Sequence, residues 1–179
     1  MTTQTFAEFV EQRFGGRLYE GKHAPNGKAC LHEALNVYQG REWSDDTTGT
    51  LDLRPLNDAP WSSDEARTAA MLPLGPIVIA WPSWSEERRQ AFAKYVAEQT
   101  IRRIVPIALR AAASRLPEHR DALEAAAQRC ADEGTESAAR SAWSAAESAA
   151  WSAESAARSA ARSDVPLQEL AAIMVEAAA

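Results

Sequence analysis

The residues best equipped for chemistry lie between His23 and Arg67. Cys30, His32 and His23 offer three soft donors, and His32-Glu33 in the run CLHEAL matches the opening of a zinc-protease helix. In such a helix a second histidine stands four residues on, so that both rings share one face, but Asn36 fills that position. Cys-x-His spacing alone favours a small core thiol over a metal ligand, so neither a metal nor a cofactor is expected. Asp45, Asp46, Asp52, Asp58 and Asp64 crowd one connection, with Arg41, Arg54 and Arg67 interleaved and Trp43 beside them. Carboxylates on a long loop serve as acid–base groups, as cation ligands, or as solvated charges paired with their neighbours. No Gly-rich phosphate loop, G-x-S-x-G elbow or second Cys/His cluster accompanies them, so catalysis lacks a nucleophile or cofactor motif and a non-enzymatic protein is expected.

A second set of groups suited to recognition lies further on. From Ser137 the chain reads SAARSAWSAAE, SAAWSAESAAR and SAARS, a repeat of eleven residues. Its serines step by three and four, which matches a nearly straight α-helix better than a heptad. At about 100° per residue, Arg140, Trp143, Glu147, Trp151, Glu154, Arg158 and Arg162 fall on one side, the serines beside them, and alanine alone on the rest. The bare alanine face suits either a close-packed helix pair within the chain or a homodimer seam. Trp143 and Trp151 either pack on a neighbouring helix or, with Arg140, Arg158 and Arg162, anchor a partner protein.

Helical elements must position both sets. Thr5 and Glu8 form a capping box ahead of Phe6, Phe9, Val10 and Phe14, and Gly15-Gly16 ends that helix. A second helix is expected from about Lys28 to Gly40, a third from Ser62 capped with Glu65, and a fourth from Ser83 capped with Glu86, kinked at Pro106. Residues 71–84 mix Pro73, Gly75, Pro76 and Pro82 with Ile77-Val78-Ile79 and read as a buried broken helix or an extended plug. Pro117 opens a helix that Gly134 ends, Thr135 caps the repeat helix, and a last helix runs from about Leu167. Alanine rises from 12 of the first 107 residues to 26 of the last 72. The fold class is therefore all-α, one multi-helix domain made of an aromatic-cored region, 1–116, and an Ala-rich region, 117–179, packed on it.

Nineteen Lys and Arg against 25 Asp and Glu leave a net charge of −6, the wrong sign for general nucleic-acid binding. The longest apolar stretch, around Leu74 to Trp81, is too short and too broken to span a membrane. The N-terminal residues alternate apolar and charged at helical spacing, unlike a signal peptide. Two cysteines a hundred residues apart read as reduced thiols, and a cytoplasmic setting is expected.

The segment KACLHEALNVYQGREWSDD, with RPLNDAPWSSDEARTAAMLPL and IRRIVPIALRAAA after it, resembles a group of uncharacterised proteins of bacteria and their phages. The matching residues are Cys30, Glu33, Ala34, Gly40, Glu42, Trp43, Ser44, Asp45, Asn57 and Asp58, and the likeness covers roughly residues 28–116. Relatives carry His-Pro and further cysteines after the Ser-Asp pair, where this chain has Asp46-Thr47-Thr48. The group supplies no activity, so the resemblance implies a helical fold and a bacterial or phage setting. The alanine-rich tail is also similar in style to some proposed immunity proteins. Together these features lead to an expected binding protein of phage or mobile-element origin, such as an inhibitor of a host defence protein. A nucleotide sponge built from Arg and Trp around the Asp-rich connection, and a metal-dependent hydrolase using its carboxylates, are the alternatives. Asp45, Asp46, Arg54 and Trp43 form the alternative binding loop.

Because no ligand set or cysteine pair emerges from the sequence, chelator and reductant together are expected to leave the thermal melt unchanged. Stoichiometric zinc in the purified protein, with unfolding on its removal, would show the opposite.

Overall fold

The computed structural model describes residues 4–25, 27–150 and 165–178, and every regular element among them is helical. These residues fall into two compact units, one running to Arg89 and one from Gln90 to Ala177. The composition change near residue 108 lies inside the second unit, where it marks a change of packing style.

The first unit holds α1 (Phe6–Phe14), α2 (Leu31–Tyr38), α3 (Arg54–Asn57), α4 (Asp64–Met71) and α5 (Gly75–Ala80). The Thr5–Glu8 capping box starts α1, and Gly15 at φ 61° ends it in the left-handed region. Phe6, Val10 and Phe14 are its buried side. Phe6 and Phe9 meet the Tyr38 ring edge-on at 5.5 and 5.4 Å, which joins α1 to α2. The cap of α4 is Ser63, one residue later than expected, and its Oγ accepts from the Ala66 amide.

Residues 71–83 are helical throughout, as the end of α4 and then α5 flanked by 3₁₀ turns at Leu72–Leu74 and Trp81–Ser83, and Trp84 is extended. Each of Pro73, Pro76 and Pro82 sits in the first turn of its own short helix, where the fixed proline φ suits the turn and the N–H is least needed. The β-branched Ile77-Val78-Ile79 run is overridden because Ile77 and Val78 find burial there without a sheet. Gly75 lets the chain pass the Phe6 ring, since a Cβ there would strike it. At the end of the unit the Trp81 and Trp84 rings sit 5.2 Å apart, with Arg88 over Trp84 and Arg89 over Trp81.

Helix α6 (Glu86–Gln99) is capped by Ser85, not Ser83, through the Arg88 amide. It passes through a π-helical turn at Thr100–Ile104 into α7 (Val105–Ala113). Pro106 removes a donor and crowds the carbonyl four residues back, so the wider turn stands where a kink was expected. Helices α8 (Arg120–Glu133), α9 (Glu136–Ala150) and α10 (Val165–Ala178) complete the second unit. Arg102, in the π turn, donates to the carbonyls of Ala131, Asp132 and Glu133, closing the C-terminal end of α8. Gly134 follows at φ 62°, and a Cβ there would strike the Arg102 side chain. Arg103 pairs with Glu169 and Glu176 of α10 at 3.3 and 3.0 Å.

Helix α9 is the described part of the repeat. Its alanine face is used within the chain: Ala138, Ala142 and Ala149 are buried in one cluster with Leu109, Leu123, Ala126, Ala127 and Cys130 of α7 and α8. The helix-pair reading therefore holds for α9. Ser141 and Ser148 donate to the carbonyls of Ser137 and Ser144, four residues back, and so need no outside partner.

With methyl groups setting the interhelical distance, Ala149→Leu is expected to cost about 1–3 kcal/mol by overpacking. Ser148→Leu, on the exposed side, is expected to cost less. Thermal melts of the two variants check this, and equal melting temperatures would show that the face is not tightly packed.

Candidate functional site

The first unit is organised around a carboxylate with no solvent exposure. Glu33, in the first turn of α2, accepts the backbone amides of His23 at 2.6 Å and Cys30 at 2.9 Å, and His23 Nδ1 at 3.1 Å. Cys30 is the residue before α2, not a member of it, and its Sγ accepts from the Glu33 amide at 3.5 Å to complete a capping box. Burial pushes the Cys30 thiol up to about 12, and burial also raises Cys130. Neither is poised as a nucleophile.

Around this carboxylate the loops are tied by side chains. Trp43 Nε1 donates to the His23 carbonyl at 2.7 Å, and its ring meets Phe14 at 6.0 Å. Asn57 accepts from the Leu31 amide at 3.3 Å and donates to the Tyr19 carbonyl at 2.9 Å, while Asp58 accepts from Gly21 at 2.8 Å. Asn36 donates to the Ser44 and Asp46 carbonyls. His32 is buried and its Nε2 accepts from the Leu53 amide at 3.0 Å, which fixes the ring as the neutral Nδ1–H tautomer.

In the expected binding loop the charges are met locally, and Arg54 lies within electrostatic reach of Asp52, Asp45 and Asp46. Asp45 pairs with Lys22, Asp52 with Arg54, and Asp46 accepts from the amide and hydroxyl of its own neighbour Thr48. These bonds hold Asp46 below its ordinary range and Asp52 down at about 2. Among the described residues no group of three His, Cys, Asp or Glu side chains could hold a metal ion. On α9, Trp143 is 73% exposed and Arg140 pairs with Glu136 at 3.5 Å on the surface. Trp151, Arg158 and Arg162 lie outside the described residues.

The structure also holds a cleft of about 430 Å³ lined by Tyr19, Glu20, His23, Lys28, Trp61, Ser63, Asp64 and Arg67. One wall is the connection after α1, and the other is the segment entering α4. Arg67 forms its floor: the guanidinium is buried, Nε donates to the Asn57 carbonyl at 2.8 Å, Nη2 reaches Glu20 at 3.2 Å, and Nη1 meets Asp64. A buried cation needs such pairing to be tolerated. Lys28 Nζ stands 5.1 Å from the Tyr19 ring centroid, and Trp61 Nε1 is committed to the Leu56 carbonyl. Of these residues the sequence pattern marks His23, Asp64 and Arg67 as candidates, but not Tyr19, Glu20, Lys28 or Trp61. The one signal at Tyr19, Glu20 and Lys28 is a run of polar residues between two glycine-marked turns, which specifies no partner.

No family model, curated protein or solved structure matches this chain. The chemistry of the cleft rests on its own atoms.

Burial holds the His32 imidazole below its ordinary pKa of 6.5. The unfolded chain therefore takes up a proton near that pH while the folded one resists it, so stability present above pH 6.5 is lost as pH falls below it. The contribution of this one proton is at most about 1.4 kcal/mol per pH unit. Urea unfolding at pH 7.5 and 5.5 is expected to show the loss. His32→Gln, whose amide oxygen can still accept from Leu53, is expected to reduce it, and an unchanged pH dependence in that variant would place the titration elsewhere.

Proposed function

We propose that this chain is a non-enzymatic binding protein that holds a small polar ligand in the cleft between Tyr19 and Arg67. The observation that carries this is the cleft itself: about 430 Å³, within the range of small-molecule sites, with two aromatic side chains and convergent polar groups on its walls. Its residues are held from behind by the Glu33, Asn57 and Arg67 bonds, so binding would spend little on ordering them. The binding reading is favoured over catalysis because Ser63 Oγ is occupied as the cap of α4 and the Cys30 thiol is buried.

A second reading has its own observation. Trp143 exposes nearly three quarters of its surface on α9 beside Arg140, and an exposed tryptophan next to arginine is a typical anchor for a partner protein. An inhibitor of a defence protein would use such a face.

A melting-temperature screen of small polar aromatic compounds separates the two. A ligand at a hundred times its Kd stabilises by about 2.7 kcal/mol, or roughly 5–10 °C for a chain of this size. The first reading expects such a shift, lost in Tyr19→Ala. If no compound shifts the melt, and Trp143→Ala abolishes capture of a partner while leaving the melt intact, the second reading replaces the first.

A further inference from the structure

Helix α9 buries its alanine side against α7 and α8, which leaves the opposite side turned to solvent. Arg140, Trp143, Ser144 and Glu147 are all exposed there, and offsets of three, four and seven residues from Arg140 put them in one stripe about two turns long. Trp143 keeps 73% of its surface open. The order of residues along the stripe selects what can cover it. Offsets of zero, three, four and seven read the same from either end, so a second α9 laid antiparallel, about a two-fold axis between residues 143 and 144, places the stripe on itself. Arg140 of each copy then faces Glu147 of the other, and Trp143 of each lies over Ser144, a large side chain on a small one. A parallel pair would instead set Arg140 against Arg140, Glu147 against Glu147 and one Trp143 ring against the other.

We propose that this stripe is the seam of a homodimer, an antiparallel two-fold pairing of α9 centred between Trp143 and Ser144. The proposal is independent of the cleft and its ligand, and it gives the exposed tryptophan a second copy of this chain as its partner in place of a foreign protein. Covering the stripe leaves the neighbouring hydroxyl donors paired, because Ser141 and Ser148 already donate to the Ser137 and Ser144 carbonyls within the helix. The Arg140–Glu136 contact, at 3.5 Å between side chains 75% and 81% exposed, holds Arg140 too weakly to keep it from Glu147 of the other copy. Two helical turns make a small contact, so the dimer is weak and reversible.

Sedimentation of the full chain over roughly 5 µM to 1 mM, a range that brackets weak association, tests this. A reversible monomer–dimer equilibrium is expected, and Trp143→Ala is expected to abolish it while keeping the helical circular-dichroism signal. Arg140→Glu and Glu147→Arg each set like charges against one another at two symmetric contacts, and each alone is expected to weaken the dimer at least about tenfold. Mixed one to one, the two charge variants regain opposite charges at both contacts and are expected to form a heterodimer about as tight as the native homodimer. This rescue judges the seam even if Trp143→Ala loses helical signal. A chain that stays monomeric throughout overturns the proposal and leaves Trp143 to the foreign-partner reading. A dimer that persists in folded Trp143→Ala, or a mixture that associates no more tightly than either charge variant alone, also overturns it.

Discussion

The first unit depends on the burial of one carboxylate. Glu33 is wholly removed from water, a position that costs several kcal/mol unless every lone pair finds a donor. The donors come from outside its own helix: His23 gives both its amide and its ring, and Cys30 gives the amide just before α2. Satisfying Glu33 thus fixes where the chain after α1 must run. Once that connection is fixed, its Tyr19 carbonyl can meet Asn57, its Gly21 amide can meet Asp58, and Glu20 can reach Arg67. The cleft is the space left between a loop pinned by these bonds and the capped start of α4.

The second unit is stabilised differently. Its core is largely alanine and leucine on α7, α8 and α9, so its cohesion comes from close backbone approach and many small dispersion contacts. Polar bonds act at its ends: Arg102 closes α8, the Thr135 hydroxyl accepts from the Ala138 amide at the start of α9, and Arg103 holds α10. Net attraction per side chain is small in such a core, but so is the conformational entropy lost, because alanine has no rotamers to freeze.

Helix positions were largely legible in the sequence because they follow from local chemistry. The Thr5–Glu8 box, the Gly134 stop and the Thr135 cap are each decided within a few residues. Errors arose where adjacent serines compete, as at Ser62 and Ser63, or Ser83 and Ser85, since a cap is chosen by the burial of the turn that follows. The all-alanine face of α9 also declared itself, since no other side of that helix could pack so closely. The cleft was not legible. It depends on contacts such as Arg67 to Glu20 and Leu18 to Thr68, which span 47 and 50 residues, and no spacing rule reports which distant polar residues will meet. The Cys30, Glu33, Asn57 and Asp58 pattern was visible, but its meaning as a set of loop ties needed the fold.

The π turn at Thr100–Ile104 can be read as an α-helix carrying one residue more than its hydrogen-bond ladder accommodates. Every residue in a regular helix turns the chain by about 100°, so the surplus residue sets the direction in which all of α7 presents its side chains. Deleting one residue here would mend the ladder locally and yet turn α6 by about 100° relative to α7, whose Leu109 and Ala113 pack with Leu123 and Ala127, while disturbing the hold of Arg102 on the end of α8. The irregularity therefore acts as a phase setting for the second unit: its length in residues, more than the identity of any one of them, is what the alanine-lined packing beyond it requires.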